Sequence, residues 1–441
     1  MSRDASSSLI HMMENSADAM VKDPLTSRSN ARRAAISVFA IAVLVEIVFL
    51  ALLPNAFRPN EASDYDVFYR PVAQNIVEHK GLTINGEFAA RFPPGFPAYL
   101  AAQFYLADRL GVSRNSLILT TNVLAGALSA VLLLLVARLI FPPKIALISA
   151  LLWATYPFDL WLIKQPNSEV PFVLTLYLSI WFFVRVLKMG GLSQTAFVGL
   201  LLALVGLIRP IAGLAPLVMS LIVMLKREMT FTRRLGIVGV LLGTFGIAIS
   251  PWMVELHSHT GHFALLSTGG PPSIADGLTF AAKPSGSSAA GPAPSDVVAL
   301  ANRIQSIQQS PQSLSDIVTV MAAQLRNDPV PVVELFLLKM ARSWYGTDAL
   351  RYERVIGATQ CFYFFWILPG IWLAWKAFPC QRLELCLFLL LVLYFWGMTV
   401  VALSILRYMV PVMGLLMMFG AVAMDKFLGW GSQKIAMQIS Y

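Results

Sequence analysis

Residues 60–100 read NEASDYDVFYRPVAQNIVEHKGLTINGEFAARFPPGFPAYL and form a long polar insertion between strongly apolar segments. The insertion carries two carboxylates, Asp64 and Asp66, shortly beyond the end of the first apolar run. Acidic groups held at the boundary of a bilayer are unusual unless they bind a cation or take part in chemistry. The stretch therefore indicates a catalytic loop in a chain whose remaining sequence is typical of a membrane protein.

The composition places the chain among integral membrane proteins. Hydrophobic residues make up 57% of the 441 residues and charged residues 13%, whereas a soluble domain carries about 25% charged residues. The net charge of +9 comes from short loops between apolar runs, a pattern that orients membrane spans and excludes a nucleic-acid-binding face. The three cysteines have no CxxC spacing, so we expect neither a disulfide framework nor a cysteine zinc site.

Ten apolar segments are predicted to cross the membrane as helices. The first, residues 34–53, follows a basic segment, residues 1–33, and is expected to stay uncleaved because it lacks a small-residue cleavage site. Segments 145–160 and 195–208 fall short of the roughly 20 residues that a comfortable crossing needs. The other predicted spans are residues 116–141, 168–187, 210–225, 236–253, 356–376, 383–404 and 408–425.

The basic residues predict how these spans are oriented. One set of short loops carries Arg138, Lys144, Arg185, Lys188, Lys226, Arg227, Arg233, Arg234, Lys376, Arg382, Lys426 and Lys434. The opposite short loops carry only Lys164, Arg209 and Arg407. By the positive-inside rule both termini are cytoplasmic, in a multi-pass protein of the inner (plasma) membrane. The loop at 54–115 and a second large loop at 254–355 then lie on the outer, periplasmic face.

The predicted fold is an all-α polytopic membrane protein with a transmembrane core at 34–253 and C-terminal membrane helices with a short cytoplasmic tail at 356–441. In the second outer loop, residues 267–296 are rich in Gly, Ser, Pro and Ala and are expected to form a flexible flap. Helical periodicity follows at 297–345, and VFYRPVAQNIVEH and FPAYLAAQFYLADRL in the first loop have amphipathic character. The sequence shows no internal repeat, which counts against transporter folds built from duplicated halves.

Five short motifs resemble bacterial GT-C membrane glycosyltransferases, which include the dolichyl-phosphate-mannose-protein mannosyltransferase-like enzymes and the aminoarabinose lipid A transferases. The first outer loop of that family has an Asp, a Tyr, a short helix of the type A-x-N-I and a Gly. The corresponding residues here are Asp64 or Asp66, Tyr69, Ala73, Asn75, Ile76 and Gly81. The segment RFPPGFPAYL, which follows, resembles the proline-rich stretch of those enzymes. The other matches, in chain order, are NSEVPF with Ser168 and Glu169, GLIRP with Arg209 and Pro210, SPWMVEL followed by STGG, and LRYMVP with Arg407, Tyr408 and Pro411.

The resemblance implies a GT-C-like bundle of about ten transmembrane helices with amphipathic helices in the first outer loop. It also implies transfer of a sugar from a polyprenyl-phosphate donor to a lipid-linked glycan, lipid or protein acceptor on the outer face. Two departures stand out. Glu255-Leu256 replaces an Arg-Asn pair, and Arg91-Phe92 replaces the Glu-Lys of the lipid A transferases. A metal or phosphate contact through that glutamate is therefore not carried over.

Glycosyl transfer needs a base for the acceptor proton and positive charge for the leaving phosphate. Asp64 and Asp66 are the candidate bases, and the alternative for either is a cap on the following helix. Spacing to Gly81 favours Asp66, whereas the local SDYxxFY context favours Asp64. Arg209 is the leading candidate for a phosphate ligand because it lies alone in an apolar turn, although an arginine there can also snorkel to the interface.

Other candidates are weaker. Arg407 and Arg70 could also contact the phosphate, and Tyr69, Arg91, Glu169 and Tyr408 are candidate substrate-binding residues. The sequence HSHTGH places His257, His259 and His262 close together, but this spacing favours surface histidines over a metal site. The need for a divalent metal ion stays open, and no other cofactor is indicated.

Two other function classes compete with a glycosyltransferase. A transporter or flippase for lipid-linked sugars should place charges along a cavity inside the spans, yet Glu46 is nearly the only charge in mid-span. An O-antigen ligase or polymerase also uses large outer loops, but typically relies on arginines and histidines without an Asp-rich first loop. The carboxylates after the first span therefore favour the transferase, whose partners would be the donor lipid, the acceptor and membrane lipids.

Overall fold

The computed structural model describes residues 28–52, 64–261, 263–283, 288–308 and 314–439, and these residues fold almost entirely as helices. The helices, in chain order, are α1 (Arg28–Leu52), α2 (Arg70–Val77), α3 (Gly95–Leu110), α4 (Arg114–Arg138), α5 (Pro143–Ala154), α6 (Pro157–Ile163), α7 (Glu169–Met189), α8 (Leu192–Ile208), α9 (Ala215–Leu225), α10 (Phe231–Thr260), α11 (Gly270–Phe280), α12 (Ser295–Gln308), α13 (Leu314–Asn327), α14 (Val330–Arg342), α15 (Glu353–Ala377), α16 (Arg382–Val401) and α17 (Val410–Ile439). Short 3₁₀ turns cover Pro210–Ala212, Pro379–Gln381 and Leu406–Tyr408.

The prediction of a multi-pass helical membrane protein is confirmed, with fewer full-length spans than the sequence indicated. Within the described ranges, seven helices are long and apolar enough to cross a membrane: α1, α4, α7, α10, α15, α16 and α17. The pair α5–α6 adds an eighth span if it is counted as one crossing bent by 53°. The bend precedes Pro157, which favours the first turn of a new helix over continuation of the old one. Two of the ten predicted spans, 195–208 and 210–225, coincide with the shorter apolar helices α8 and α9.

The described part of the first outer loop forms the two amphipathic helices expected from its sequence, joined by a hairpin. Residues Tyr65–Tyr69 make one π-helical turn, in which the Arg70 N–H donates to the Tyr65 carbonyl, and α2 follows directly. The strands β1 (Thr83–Ile84) and β2 (Glu87–Phe88) are connected by Asn85 and Gly86, which both have positive φ. This Asn-Gly pair is the preferred sequence for a two-residue turn that needs two positive φ angles.

The described part of the second large loop contains α11–α14, which share a hydrophobic core separate from that of the membrane bundle. α11 lies inside the segment 267–296 that was expected to be a flexible flap. Its small residues permit close packing, and Gly277 leaves no room for a Cβ beside the carbonyl of Ala402 at the end of α16. Lys339 of α14 is fully buried and donates from Nζ to the same carbonyl at 2.8 Å. The outer helices are thus fastened to the end of a membrane helix.

Candidate active site

A cavity of about 300 Å³ lies where the first outer loop meets the start of α7 and the ends of α8 and α16. Glu169 begins α7, Arg209 follows the end of α8, and Arg407 lies in the 3₁₀ turn Leu406–Tyr408 that precedes α17. The packing of the bundle brings these charged residues together. The polar side chains that the sequence analysis singled out and that line this cavity are Asp64, Tyr69, Glu169, Arg209, Arg407 and Tyr408.

Glu169 forms the centre of the charged cluster. It is the first residue of α7 and only 3% of its side chain is exposed. Its Oε1 lies 2.5 Å from Arg209 Nη1 and 3.4 Å from Arg407 Nε. One buried carboxylate therefore holds two guanidinium groups close together, against their mutual repulsion.

Arg209 enters the cavity because α8 ends immediately before it. Pro210 disfavours a helical conformation for the preceding residue, and Arg209 is accordingly extended. Its Nη1 also donates to Ser168 Oγ at 3.0 Å, and its guanidinium lies over the Tyr408 ring, 4.8 Å from the centroid. An arginine that is both ion-paired and stacked is held in a fixed orientation, as phosphate recognition requires.

Arg407 is surrounded by carboxylates. Besides Glu169, it faces Asp64, whose Oδ2 lies 3.7 Å from Nη2, and Asp348, whose Oδ2 lies 3.3 Å from Nη1. Asp348 belongs to the connection between α14 and α15 and was not singled out from the sequence. Its loop is polar, and one more aspartate there carries no periodicity or motif that would distinguish it.

The structure separates the two carboxylates that the sequence left as alternatives. Asp64 lines the cavity beside Arg407, and burial raises the pKa of its carboxyl although Arg407, Arg91 and Arg209 act in the opposite direction. Asp66 does not line the cavity, and its carboxylate pairs with Arg70 one helical turn later, at 3.2 Å. Arg70 is likewise outside the cavity. The structure thus brings Asp64, and not Asp66 or Arg70, to the charged cluster.

Arg91 supports the site through its backbone. Its side chain is exposed and does not line the cavity. Its carbonyl accepts hydrogen bonds from Ser267 Oγ at 2.6 Å and from the Gly269 N–H at 3.2 Å. Ala90 similarly accepts from Thr268. The RFPP segment and the STGG segment, which the sequence analysis treated as separate motifs, therefore pair with each other.

His257 and His259 lie away from the cavity. His259, in the last turn of α10, stacks on Phe88 of the hairpin with ring centroids 4.1 Å apart, and His257 precedes it on the same helix. His262 lies outside the described residues. Across the part of the chain that the structure describes, no three His, Cys, Asp or Glu side chains are grouped so as to hold a metal ion.

The sequence matches one family model over part of its length. Residues 92–254 match the family described as dolichyl-phosphate-mannose-protein mannosyltransferase. This range is less than half of the chain. It includes Glu169 and Arg209 and stops before Arg407. No curated protein matches the sequence.

Solved structures resemble the whole chain. The crystal structure of the Archaeoglobus fulgidus oligosaccharyltransferase in complex with Zn and sulfate matches with a TM-score of 0.55 at 13% identity, covering 91% of this chain and 50% of that one. The structure of ArnT from Cupriavidus metallidurans bound to undecaprenyl phosphate matches with a TM-score of 0.50 at 16% identity, covering 92% of this chain and 63% of that one. The chain therefore spans about half to under two thirds of the length of these proteins, and the likeness concerns the fold.

Proposed function

The chain has the GT-C fold of membrane glycosyltransferases, and on that premise we propose that it transfers a sugar from a polyprenyl-phosphate donor to an acceptor hydroxyl or amine. The observation that carries this proposal is the convergence of Asp64, Arg209 and Arg407 in one cavity. A general base and two phosphate-binding cations are what such a transfer requires. The undecaprenyl phosphate bound to ArnT supports a lipid phosphate as the ligand class.

In this mechanism Arg209 and Arg407 bind the donor phosphate, whose oxygens match the planar guanidinium fork. Asp64 removes the proton from the acceptor hydroxyl or amine as that atom attacks the anomeric carbon. The bond between the anomeric carbon and the phosphate oxygen breaks, and its electron pair leaves with the polyprenyl phosphate. The two arginines stabilise the negative charge that develops on this leaving group.

Asp64 suits the role of base better than Glu169 does. The Glu169 carboxylate is buried against two cations, which both contact its Oε1, so its charge is already engaged. Of the guanidiniums that the structure describes, Asp64 has one within 4 Å, that of Arg407 at 3.7 Å, and burial raises the pKa of its carboxyl, which makes it a stronger base. We assign Glu169 the role of holding the two arginines in place. Tyr408 holds Arg209 from its opposite side.

We place the cavity on the outer face of the membrane, with both termini in the cytoplasm, because the basic residues concentrate in the opposite set of loops. The acceptor is then a lipid-linked glycan, a lipid or a protein segment that reaches this face. The loops at 54–115 and 254–355 are small for a separate acceptor-recognition domain, which favours acceptors that are themselves lipid-linked or flexible.

Mass spectrometry of lipids and glycans from a strain that lacks the protein tests the proposal and should reveal a missing glycosylated product. Complementation with Asp64→Asn should restore the product at least about 100-fold more slowly than wild type, as expected when a general base is removed. Asp66→Asn is the matched control and should restore it fully. An unchanged lipid and glycan profile in the deletion strain would refute the function, and full restoration by Asp64→Asn would refute the assignment of the base.

A further inference from the structure

The guanidinium of Arg407 faces a carboxylate within 4 Å along each of its edges, although its Nε has no hydrogen-bond partner among the described residues. Nε lies 3.4 Å from Glu169, Nη2 lies 3.7 Å from Asp64, and Nη1 lies 3.3 Å from Asp348. A phosphate that binds bidentately to an arginine needs two of its N–H groups on one edge. The donor phosphate can therefore take hold of Arg407 only if one of these carboxylates gives way.

The charges of the cluster lead to the same requirement. Two cations that line the cavity, Arg209 and Arg407, face three carboxylates, and Arg91 acts on Asp64 from outside the cavity. A phosphodiester would add a further negative charge. Like charges within a few ångströms are strongly unfavourable where water is scarce. The entering phosphate therefore has to replace a carboxylate, since adding it beside all three would leave the cluster with excess negative charge.

The three carboxylates differ in how easily they can leave. Glu169 is 3% exposed and is also held by Arg209 at 2.5 Å. Asp64 belongs to the wall of the cavity and is needed there as the base. Asp348 is 33% exposed and lies on a connecting loop. Asp64 is similarly exposed, at 36%, but it is retained in the cavity as the base, so Asp348 is the carboxylate that can leave without removing a catalytic group.

The loop that carries Asp348 is fixed at its first residues and strained beyond them. The Gly346 carbonyl accepts from the Leu406 N–H at 2.8 Å, and the Thr347 N–H donates to Glu353 Oε1 at 3.1 Å. Leu350 and Tyr352, by contrast, have φ values of 55° and 61°. Bulky side chains rarely adopt this conformation, and it costs of order 1–3 kcal/mol each. A movement of residues 348–352 would release that strain and would break the hydrogen bonds that the Leu350 and Arg351 N–H groups donate to Thr347.

We propose that Asp348 is an internal occupant of the donor-phosphate position on Arg407, and that binding of the lipid phosphate displaces it together with residues 348–352. This inference rests on the function proposed above. Asp348 then sets the affinity for the donor and for the polyprenyl phosphate product, because both compete with its carboxylate for the same N–H groups. It acts on the reaction through Arg407 and does not touch the reacting atoms.

Binding of undecaprenyl phosphate to the purified protein in nanodiscs tests the inference. Asp348→Asn keeps the size of the side chain and removes its charge, so the dissociation constant should fall by about 2- to 5-fold, the range expected for one partly exposed ion pair. Asp296→Asn is the matched control, since it removes an exposed charge from the same outer loop and should leave the constant unchanged. If Asp348 instead merely held Arg407 in place, Asp348→Asn would weaken binding.

Hydrogen exchange on the wild-type protein provides a second measurement that needs no substitution. Peptides covering residues 348–352 should exchange faster when undecaprenyl phosphate is bound, because the loop is released from Arg407. Slower or unchanged exchange there, or an Asp348→Asn variant that binds no tighter than wild type, would overturn the inference. Failure of the proposed function gives a different result: wild type and Arg209→Ala would bind undecaprenyl phosphate equally, or neither would bind it.

Discussion

Replacing Glu169 with glutamine is expected to destabilise the ligand-free protein by about 3 kcal/mol. The carboxylate oxygen lies 2.5 Å from Arg209 and 3.4 Å from Arg407. Glutamine keeps the shape but removes the charge, so two guanidiniums would remain close together without their shared counter-charge. Removing one partner of a buried ion pair costs roughly 3–5 kcal/mol. We expect the lower end of this range because both arginines border a cavity that water can enter.

The loss should be reversed in part by the ligand. A phosphate bound between Arg209 and Arg407 supplies the missing negative charge, so undecaprenyl phosphate should raise the melting temperature of Glu169→Gln more than that of wild type. Intrinsic tryptophan fluorescence during heating in detergent, with and without the lipid, measures both effects.

A matched control exists in the same molecule. Glu353 is also fully buried, and its Oε1 lies 2.7 Å from Arg342 Nη2, but neither residue lines the cavity. Glu353→Gln should lose similar stability and gain no more from the lipid than wild type does. Equal lipid-induced shifts in the two variants, or a wild-type melting temperature for Glu169→Gln without lipid, would refute the reasoning.

Two further predictions concern Arg209 and Lys339. Arg209→Ala should raise KM for the donor and lower kcat. Arg209→Lys should recover only part of the loss, because lysine keeps the charge but not the planar fork. Specific activity per folded molecule measures both effects, and unchanged kinetics would indicate a snorkelling residue. Burial and the adjacent Arg342 lower the pKa of Lys339 to about 7. Above pH 7 the unfolded state binds more protons than the folded state, so the free energy of unfolding of wild type should rise relative to that of Lys339→Met. The expected slope is roughly 1.4 kcal/mol per pH unit, up to the pH near 10.4 at which the lysine of the unfolded chain titrates. Denaturant titrations from pH 7 to 9 test this, and parallel curves for the two proteins would contradict it.

The sequence was most informative where a polar residue interrupts an apolar segment. Arg209 was recognised in this way, and Arg407 by the same reasoning, since a lone charge in an apolar turn is costly unless it has a partner. Glu169 was recognised through the NSEVPF motif. Which residues partner which could not be predicted, because the pairs join helices distant in sequence. Asp348 was missed for the opposite reason, because a charged residue in a polar outer loop gives no contrast. Lys339 interrupts the apolar run FLLKMA, and its partner, the Ala402 carbonyl, is a backbone group that no residue type indicates.

Other features depend on backbone geometry that a pattern of residue types does not encode. Asp64 and Asp66 are two residues apart, so on a helix their side chains point in directions about 200° apart, and only one can face the cavity. The sequence alone does not indicate which face is turned inward. For residues 267–296, small residues suggested flexibility, although the same residues, such as Gly277, permit close packing once a neighbouring helix end is available.

The π-helical turn at Tyr65–Tyr69 implies that the number of residues in this stretch matters more than their identity. Such a turn contains one residue more than an α-helical turn over the same path, and it behaves as an insertion into a helix. Deleting one residue between Tyr65 and Tyr69 would restore an α-helix and rotate Asp64 by about 100° relative to α2, away from Arg407. An insertion here also lengthens the path from Asp64 to Gly81. An alignment that allows no gap at this point would therefore be out of register by one residue on the Asp64 side of the turn, and would place Tyr65 opposite the carboxylate of a relative that lacks the turn.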